Sequence, residues 1–213
     1  MHIETIVCGP LDVNCYVLWE DNGSCALIDP AAEEPVFHYI DAQRLNCTHV
    51  LLTHGHFDHI GGVAGIKEKT GALVCIHRED AKMLTSDFES LGATMGFRNM
   101  PVQPDLLLED GDIIEAAGTT LRVIHTPGHT RGGVCYLEEQ DRVLFTGDTI
   151  FRLGAGRADF PGSDEKDLYR SIVNKLFTLG GDYTLYPGHN RITTMDVERE
   201  RNTFIRHYRG FGW

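Results

Sequence analysis

The chain has 213 residues, a formal net charge of −12 and 23% charged content. That length suits one α/β domain with a full core, and the charge content is too ordinary for a disordered chain. The acidic balance, with no basic stripe, argues against a nucleic-acid partner. No apolar run approaches the roughly 18 residues of a membrane span, and "MHIETIVCGP" lacks the basic-then-apolar start of a secretory leader, so the cytoplasm is the expected location. The six cysteines (Cys8, Cys15, Cys25, Cys47, Cys75 and Cys135) are scattered and form no CxxC pair, so they read as buried free thiols.

In chain order, "HIETIVCG" (2–9) alternates, "NCYVLWE" (14–20) is apolar and aromatic, and "SCALIDP" (24–30) stops at a proline; all three read as strands. Asp21-Asn22-Gly23-Ser24 marks a hairpin turn. Residues 33–45 read as a helix with Val36 and Ile40 four apart, and 48–54 as a buried strand. A helix is expected over 60–72, ending at Gly71, then a strand over 72–77 and a short helix over 78–84. From 85 to 104 the pattern fails. This Gly-, Pro- and Met-rich stretch reads either as a plain surface loop or as a roof over a pocket, with Met95, Phe97 and Met100 available. Strands return across 105–126 with a turn at Asp110-Gly111, then at 132–139 and 142–149. Residues 163–181 form a strong helix pattern, with Ser163 as N-cap and Leu168, Ile172 and Leu176 recurring every four residues. A last strand over 183–189 precedes a helix over about 195–207. Strand hairpins mixed with strand–helix alternation predict an α/β fold of two packed sheets with helices outside.

The densest chemistry is "LLTHGHFDHIGG" (51–62). On an extended segment residues 54, 56 and 58 share a face and His59 lies opposite. A sharp turn after Asp58, eased by Gly61 and Gly62, would swing His59 to the same region. The stretch then presents His54 with His56 and Asp58 with His59. Imidazole and carboxylate suit zinc, iron or manganese. Two such ions need about six or seven ligands, so more must come from elsewhere. Three downstream candidates lie where a strand opens into a loop: His129 in "HTPGHTRGG", Asp148 in "VLFTGDT" and His189 in "LYPGHN". Alone, each reads as a turn or cap residue; with the first cluster they make a set of ligand types. The remaining histidines, including His125, read as structural or exposed.

"THGHFDH", "TPGHT", "FTGDT" and "PGH", together with the opening "GPLDVNCYVLW", resemble the metallo-β-lactamase superfamily, and most of all its glyoxalase II (hydroxyacylglutathione hydrolase) branch. The resemblance implies a four-layer αβ/βα sandwich, one domain over 1–213, without the C-terminal helical domain of typical glyoxalase II. It implies a first metal on His54, His56 and His129, a second on Asp58, His59 and His189, and Asp148 bridging them, with Asp58 also orienting the attacking water. Asp148 separates the chain from the branch that uses a cysteine ligand, and His56 from the flavodiiron branch. Zinc is the first expectation for both ions, with iron or manganese as alternatives.

Two divalent ions about 3.5–4 Å apart can share a hydroxide and lower its pKa toward neutrality, which would let it attack a thioester or ester carbonyl. Two dications, two carboxylates and one hydroxide leave a centre near +1, which favours a small anionic thioester such as S-lactoylglutathione. In glyoxalase II the segment matching "FRLGAGRADFPG" carries a lysine that grips a glutathione carboxylate. Arg157 takes that place, while the family tyrosine two residues on is Asp159. Arg157 therefore reads either as a carboxylate clamp or as a salt-bridge partner of Asp159. Arg191, Arg206, Arg209 and the "FGW" tail read first as a solvated basic helix, with partial substitution for the glutathione contacts of the missing domain as the alternative. The rival enzyme class is a glutathione persulfide dioxygenase using a single iron, and a lactonase or esterase on the same scaffold is the third; a non-catalytic binding module is disfavoured because all seven positions are filled. A monomer or homodimer is expected, with no membrane partner.

Overall fold

Alternation in the first thirty residues becomes three antiparallel strands, β1 (His2–Cys8), β2 (Val13–Trp19) and β3 (Ser24–Ile28). The computed structural model describes residues 1–209; the Phe211-Gly212-Trp213 tail and the side chain of Arg209 lie outside the described residues. β2 is buried along nearly its whole length because both of its faces are covered. Val13, Cys15 and Val17 join one apolar cluster, while Tyr16 and Leu18 join another. The strand's period of two sorts them. β3 repeats the division, with Cys25 and Leu27 on one side and Ala26 and Ile28 on the other.

Helix α1 (Glu33–Gln43) then carries the chain to β4 (Asn46–Leu51), which pairs parallel to β3. The expected helix over 60–72 is in fact two pieces, α2 (Phe57–Ile60) and α3 (Val63–Thr70). The break falls at Gly61-Gly62, where the chain presses against its own backbone. A Cβ on Gly62 would lie 2.6 Å from the Ala32 carbonyl carbon. β5 (Leu73–His77) and β6 (Leu106–Leu108) continue the sheet in parallel. Between them the predicted helix at 78–84 is a 3₁₀ turn, Arg78–Thr85, and the 85–104 segment includes a single helical turn, α4 (Gly92–Met95).

The second six-stranded sheet runs β14-β13-β10-β9-β8-β7. Its strands are β7 (Ile113–Ala116), β8 (Thr119–His125), β9 (Val134–Glu138), β10 (Val143–Gly147), β13 (Thr184–Pro187) and β14 (Thr193–Thr194). A small hairpin, β11 (Ile150–Phe151) and β12 (Gly154–Ala155), projects after β10. Helix α5 (Glu165–Ser171) begins one residue later than expected. Asp164 is the N-cap and accepts from the Asp167 amide; Ser163 instead donates its hydroxyl to the His129 carbonyl at 2.7 Å. A π-helical turn, Ile172–Leu176, ends it well short of residue 181. The final helix is split into α6 (Met195–Arg201) and α7 (Thr203–Arg209). The split comes at Asn202, whose side chain is drawn to Gly154 O and Glu198 Oε2.

Three apolar clusters define four layers. One lies between the first sheet and α1 and α3, through Val36, Ile40, Val63 and Ile66. The second joins the two sheets, with Tyr16, Ile28 and Leu51 against Leu121, Tyr136 and Phe145. The third packs Leu168, Ile172, Met195 and Ile205 on the outer face of the second sheet. This is the expected α/β sandwich. All six cysteines are free and buried. Among the described residues, no helix is long and apolar enough to cross a membrane.

Candidate metal centre

Each of the seven ligand-type residues follows the C-terminal end of a strand, and those ends meet at one edge of the sandwich. The chain leaves β4 at Leu51 and reaches His54 three residues later; β8 leads to His129, β10 to Asp148 and β13 to His189. Cross-sheet bonds fix the edge. Tyr16 and Asn14 donate to Pro187 O at 2.5 and 2.9 Å, and Tyr136 donates to Leu52 O at 2.7 Å.

The turn expected after Asp58 begins earlier. His56 is extended (φ −65°, ψ 148°) and caps α2, so Asp58 and His59 already sit on a helical turn. That turn replaces strand parity, and it gathers all four side chains on one buried site. The donors fall into two groups: His54, His56 and His129, and Asp58, His59 and His189, each with ligand atoms within 4.8 Å of one another. His56 Nδ1 lies 2.9 Å from His129 Nε2, and His59 Nε2 lies 3.3 Å from His189 Nε2. Asp148 stands between the groups: Oδ2 is 3.5 Å from His129 Nε2 and 3.6 Å from His189 Nε2, and Oδ1 is 3.5 Å from His59 Nε2.

Hydrogen bonds behind the rings set which nitrogen faces inward. His129 Nδ1 donates to Arg157 O at 2.6 Å, turning Nε2 to the site. The Thr53 hydroxyl donates to Asp29 Oδ2 at 2.5 Å and accepts from His54 Nδ1 at 3.1 Å, leaving His54 Nε2 a bare lone pair. His59 Nδ1 donates to Asp29 Oδ2 at 2.9 Å. Asp29 is thus a brace missing from the sequence reading; its oxygens are occupied by the Thr53 amide, the Thr53 hydroxyl and His59. This is why the further grouping of Asp29 with His54 and His59 is better read as support than as a ligand set. Its only sequence signal was an aspartate closing an apolar strand before a proline.

The donor set fits a pair of divalent cations. His54 Nε2 and Asp148 Oδ1 are buried without a hydrogen-bond partner, an expensive state unless a cation meets them. Burial, then the neighbouring imidazoles, holds His54 well below the ordinary histidine range; burial and His129 do the same for His56, so both are neutral donors. At the other end the carboxylates dominate. Burial opposes the charge on His59, yet Asp58, Asp148 and Asp29 raise its pKa to about 10. Burial likewise opposes ionisation of Asp58, but His59 and His189 hold it well below the usual carboxylate range. The pocket is therefore negative where the carboxylates converge, and attracts positive charge.

Two glycines crowd Asp148: Gly188, of the Pro-Gly pair before His189, and Gly156, which the sequence did not single out. A Cβ on Gly156 would lie 2.0 Å from Asp148 O, and one on Gly188 would lie 2.4 Å from Asp148 Oδ1. Above the donors is a cavity of about 540 Å³, walled by Phe57, Met95, Phe151 and Phe160, with Arg157 also lining it. Met95 brings the 85–104 segment over the site, Phe97 stacks on Phe57 at 4.9 Å, and Met100 points away, 72% exposed. Arg157 pairs with Asp159 through two bonds of 2.9 and 2.8 Å and lies over the Phe160 ring. His125 is not at the site: it stacks on His77 and bonds Arg131 O, as its structural reading expected.

Two helix-covered sheets with such a donor set at their shared edge define a metallohydrolase scaffold. The sequence profile of the metallo-β-lactamase superfamily matches residues 8–189, and the chain belongs to that superfamily. It is 35% identical over 208 residues to the hydroxyacylglutathione hydrolase GloC of Haemophilus influenzae, covering 96% of this chain and 98% of that one. Among solved structures it is similar to the BLEG-1 B3 metallo-β-lactamase (TM-score 0.89, 31% identity, 96% and 99% coverage). It is also similar to TTHA1623 in a di-iron-bound form (TM-score 0.84, 33% identity, 94% and 99% coverage).

Proposed function

We propose that this protein hydrolyses small anionic thioesters of the S-lactoylglutathione type, using two divalent metal ions, zinc foremost. The observation that carries the reading is the pairing of two donor groups about Asp148 beneath an apolar-walled cavity that Arg157 also lines. The likeness to a hydroxyacylglutathione hydrolase over nearly the full extent of both chains supports the substrate class.

In this reading His54, His56 and His129 would hold one ion and Asp58, His59 and His189 the other, with Asp148 available to either. When bound, the ions supply Lewis acidity at the carbonyl and lower the pKa of water. Asp58 turns Oδ2 toward His189 (3.4 Å), which leaves Oδ1 to orient the attacking water. Asp29 keeps His59 Nε2 aimed inward, and Arg157 O does the same for His129. The Arg157 guanidinium exchanges Asp159 for a substrate carboxylate, which it can grip with the same two-pronged geometry. Phe57, Phe151 and Phe160 exclude bulk water from the scissile bond.

The test is a substrate panel on the purified, zinc-loaded protein: S-lactoylglutathione, a neutral thioester, a lactone, a cephalosporin, and glutathione persulfide with oxygen consumption. Preferred turnover of S-lactoylglutathione is expected. Oxygen consumption on the persulfide, or cephalosporin cleavage without thioesterase activity, would replace the proposal.

A further inference from the structure

Asp80 belongs to none of the motifs above. It sits on the 3₁₀ turn after β5 and is fully buried. Its Oδ1 accepts from the Gly132 amide at 2.7 Å and its Oδ2 from the Gly55 amide at 3.3 Å. Gly55 lies between His54 and His56, and Gly132 lies three residues after His129. One carboxylate therefore ties together the two loops that supply the three-histidine group. The packing is close on both sides: a Cβ on Gly132 would lie 2.7 Å from Asp80 Cγ, and one on Gly55 would lie 2.5 Å from Met83 Cβ on the same turn.

Burying a carboxylate is costly; burial raises the Asp80 pKa, and the Thr130 side chain with the Gly132 and Gly55 amides offsets only part of that rise. A positive ion at the three-histidine group would recover more, because imidazole donors bring no negative charge of their own and only the flanking Asp148 does. Asp29 bonds His59 directly but reaches the three-histidine group only through the Thr53 hydroxyl beside His54.

We infer that Asp80 is a positioning residue for the metal at His54, His56 and His129: it fixes the spacing of the two loops and adds a negative charge behind them. The inference rests on the reading that this group holds a divalent cation. Outer partners of this kind typically contribute about 10–100-fold to metal affinity.

The test measures zinc affinity of the full-length apoprotein by competition with a chromophoric chelator, in two backgrounds. His189→Ala disables the Asp58-His59-His189 group, and His129→Ala disables the three-histidine group. Adding Asp80→Asn, which is isosteric, should weaken zinc about 10-fold in the His189→Ala background, and Asp80→Ala about 100-fold. In the His129→Ala background either change should stay within about twofold, as for independent sites. Circular dichroism checks the fold, and the isosteric variant carries the test if Asp80→Ala does not fold. Equal weakening in both backgrounds would mean a general structural role and overturn the inference. Unchanged affinity in the His189→Ala background would overturn it as well. If His189→Ala itself, with Asp80 intact, binds no zinc, the metal reading of the three-histidine group falls first.

Discussion

Gly188→Ala puts one methyl group against the residue that joins the two donor groups. The new Cβ would stand 2.4 Å from Asp148 Oδ1 and 2.8 Å from His59 Cε1, where ordinary contact begins at 3.4 Å. The backbone cannot retreat, because Gly188 N donates to Gly147 O and Gly188 O accepts from Asn14 N, both at 2.8 Å. The Asp148 carboxylate must give instead, by about 1 Å. A misplacement of that size at a reacting centre costs about 100-fold in rate, or about 2.7 kcal/mol. The expected outcome is a kcat about 100-fold lower on S-lactoylglutathione with the far-ultraviolet circular dichroism spectrum retained. A kcat within about twofold of wild type would refute the argument that Asp148 must hold this position.

Asp29→Asn places an amide where Oδ2 receives the Thr53 hydroxyl and His59 Nδ1, and should weaken one of two bound zinc ions by about 10–100-fold in chelator competition. Arg157→Ala should raise KM for S-lactoylglutathione while leaving KM for a neutral thioester unchanged, whereas equal effects on both would confine Arg157 to its pair with Asp159. His77 gives a pH prediction away from the donors. Burial, then the stacked His125, lowers its pKa to about 4, against an ordinary value near 6.5. Between these values the unfolded chain binds the extra proton, so stability is full above pH 6.5 and falls as pH drops toward 4. The loss from this group is at most about 3 kcal/mol. In urea unfolding of the apoprotein, His77→Asn should flatten that part of the profile, and an unchanged slope would contradict it.

The parts of the site that could be read in the sequence share one property: ligand-type residues crowd beside turn glycines at strand ends. His54, His56, Asp58 and His59 lie within six positions, and His129 and His189 each follow a Pro-Gly pair. The supports are dispersed because their partners are distant in sequence. Asp29 acts on residues 24 and 30 positions away. Asp80 looks like an ordinary helix-start acid until the fold places it under Gly55 and Gly132. Sheet and helix order was legible because hydrophobic period survives burial. Helix ends were less so. Ser163 and Asp164 are both good caps; the Ser163 hydroxyl is taken by the His129 carbonyl and the Asp164 amide by the Gly128 carbonyl, and Asp164 caps. The 195–207 helix breaks at Asn202 for a similar reason: its side chain donates across the fold to Gly154 O while its Oδ1 accepts from the Ile205 amide and caps the next helix.

The most direct test of the account is elemental analysis paired with turnover of S-lactoylglutathione, on wild type and on His56→Ala. The account predicts two divalent ions per wild-type chain with thioesterase activity, and loss of at least one ion together with turnover in His56→Ala. One iron per wild-type chain without thioesterase activity, or an active His56→Ala protein, would contradict it.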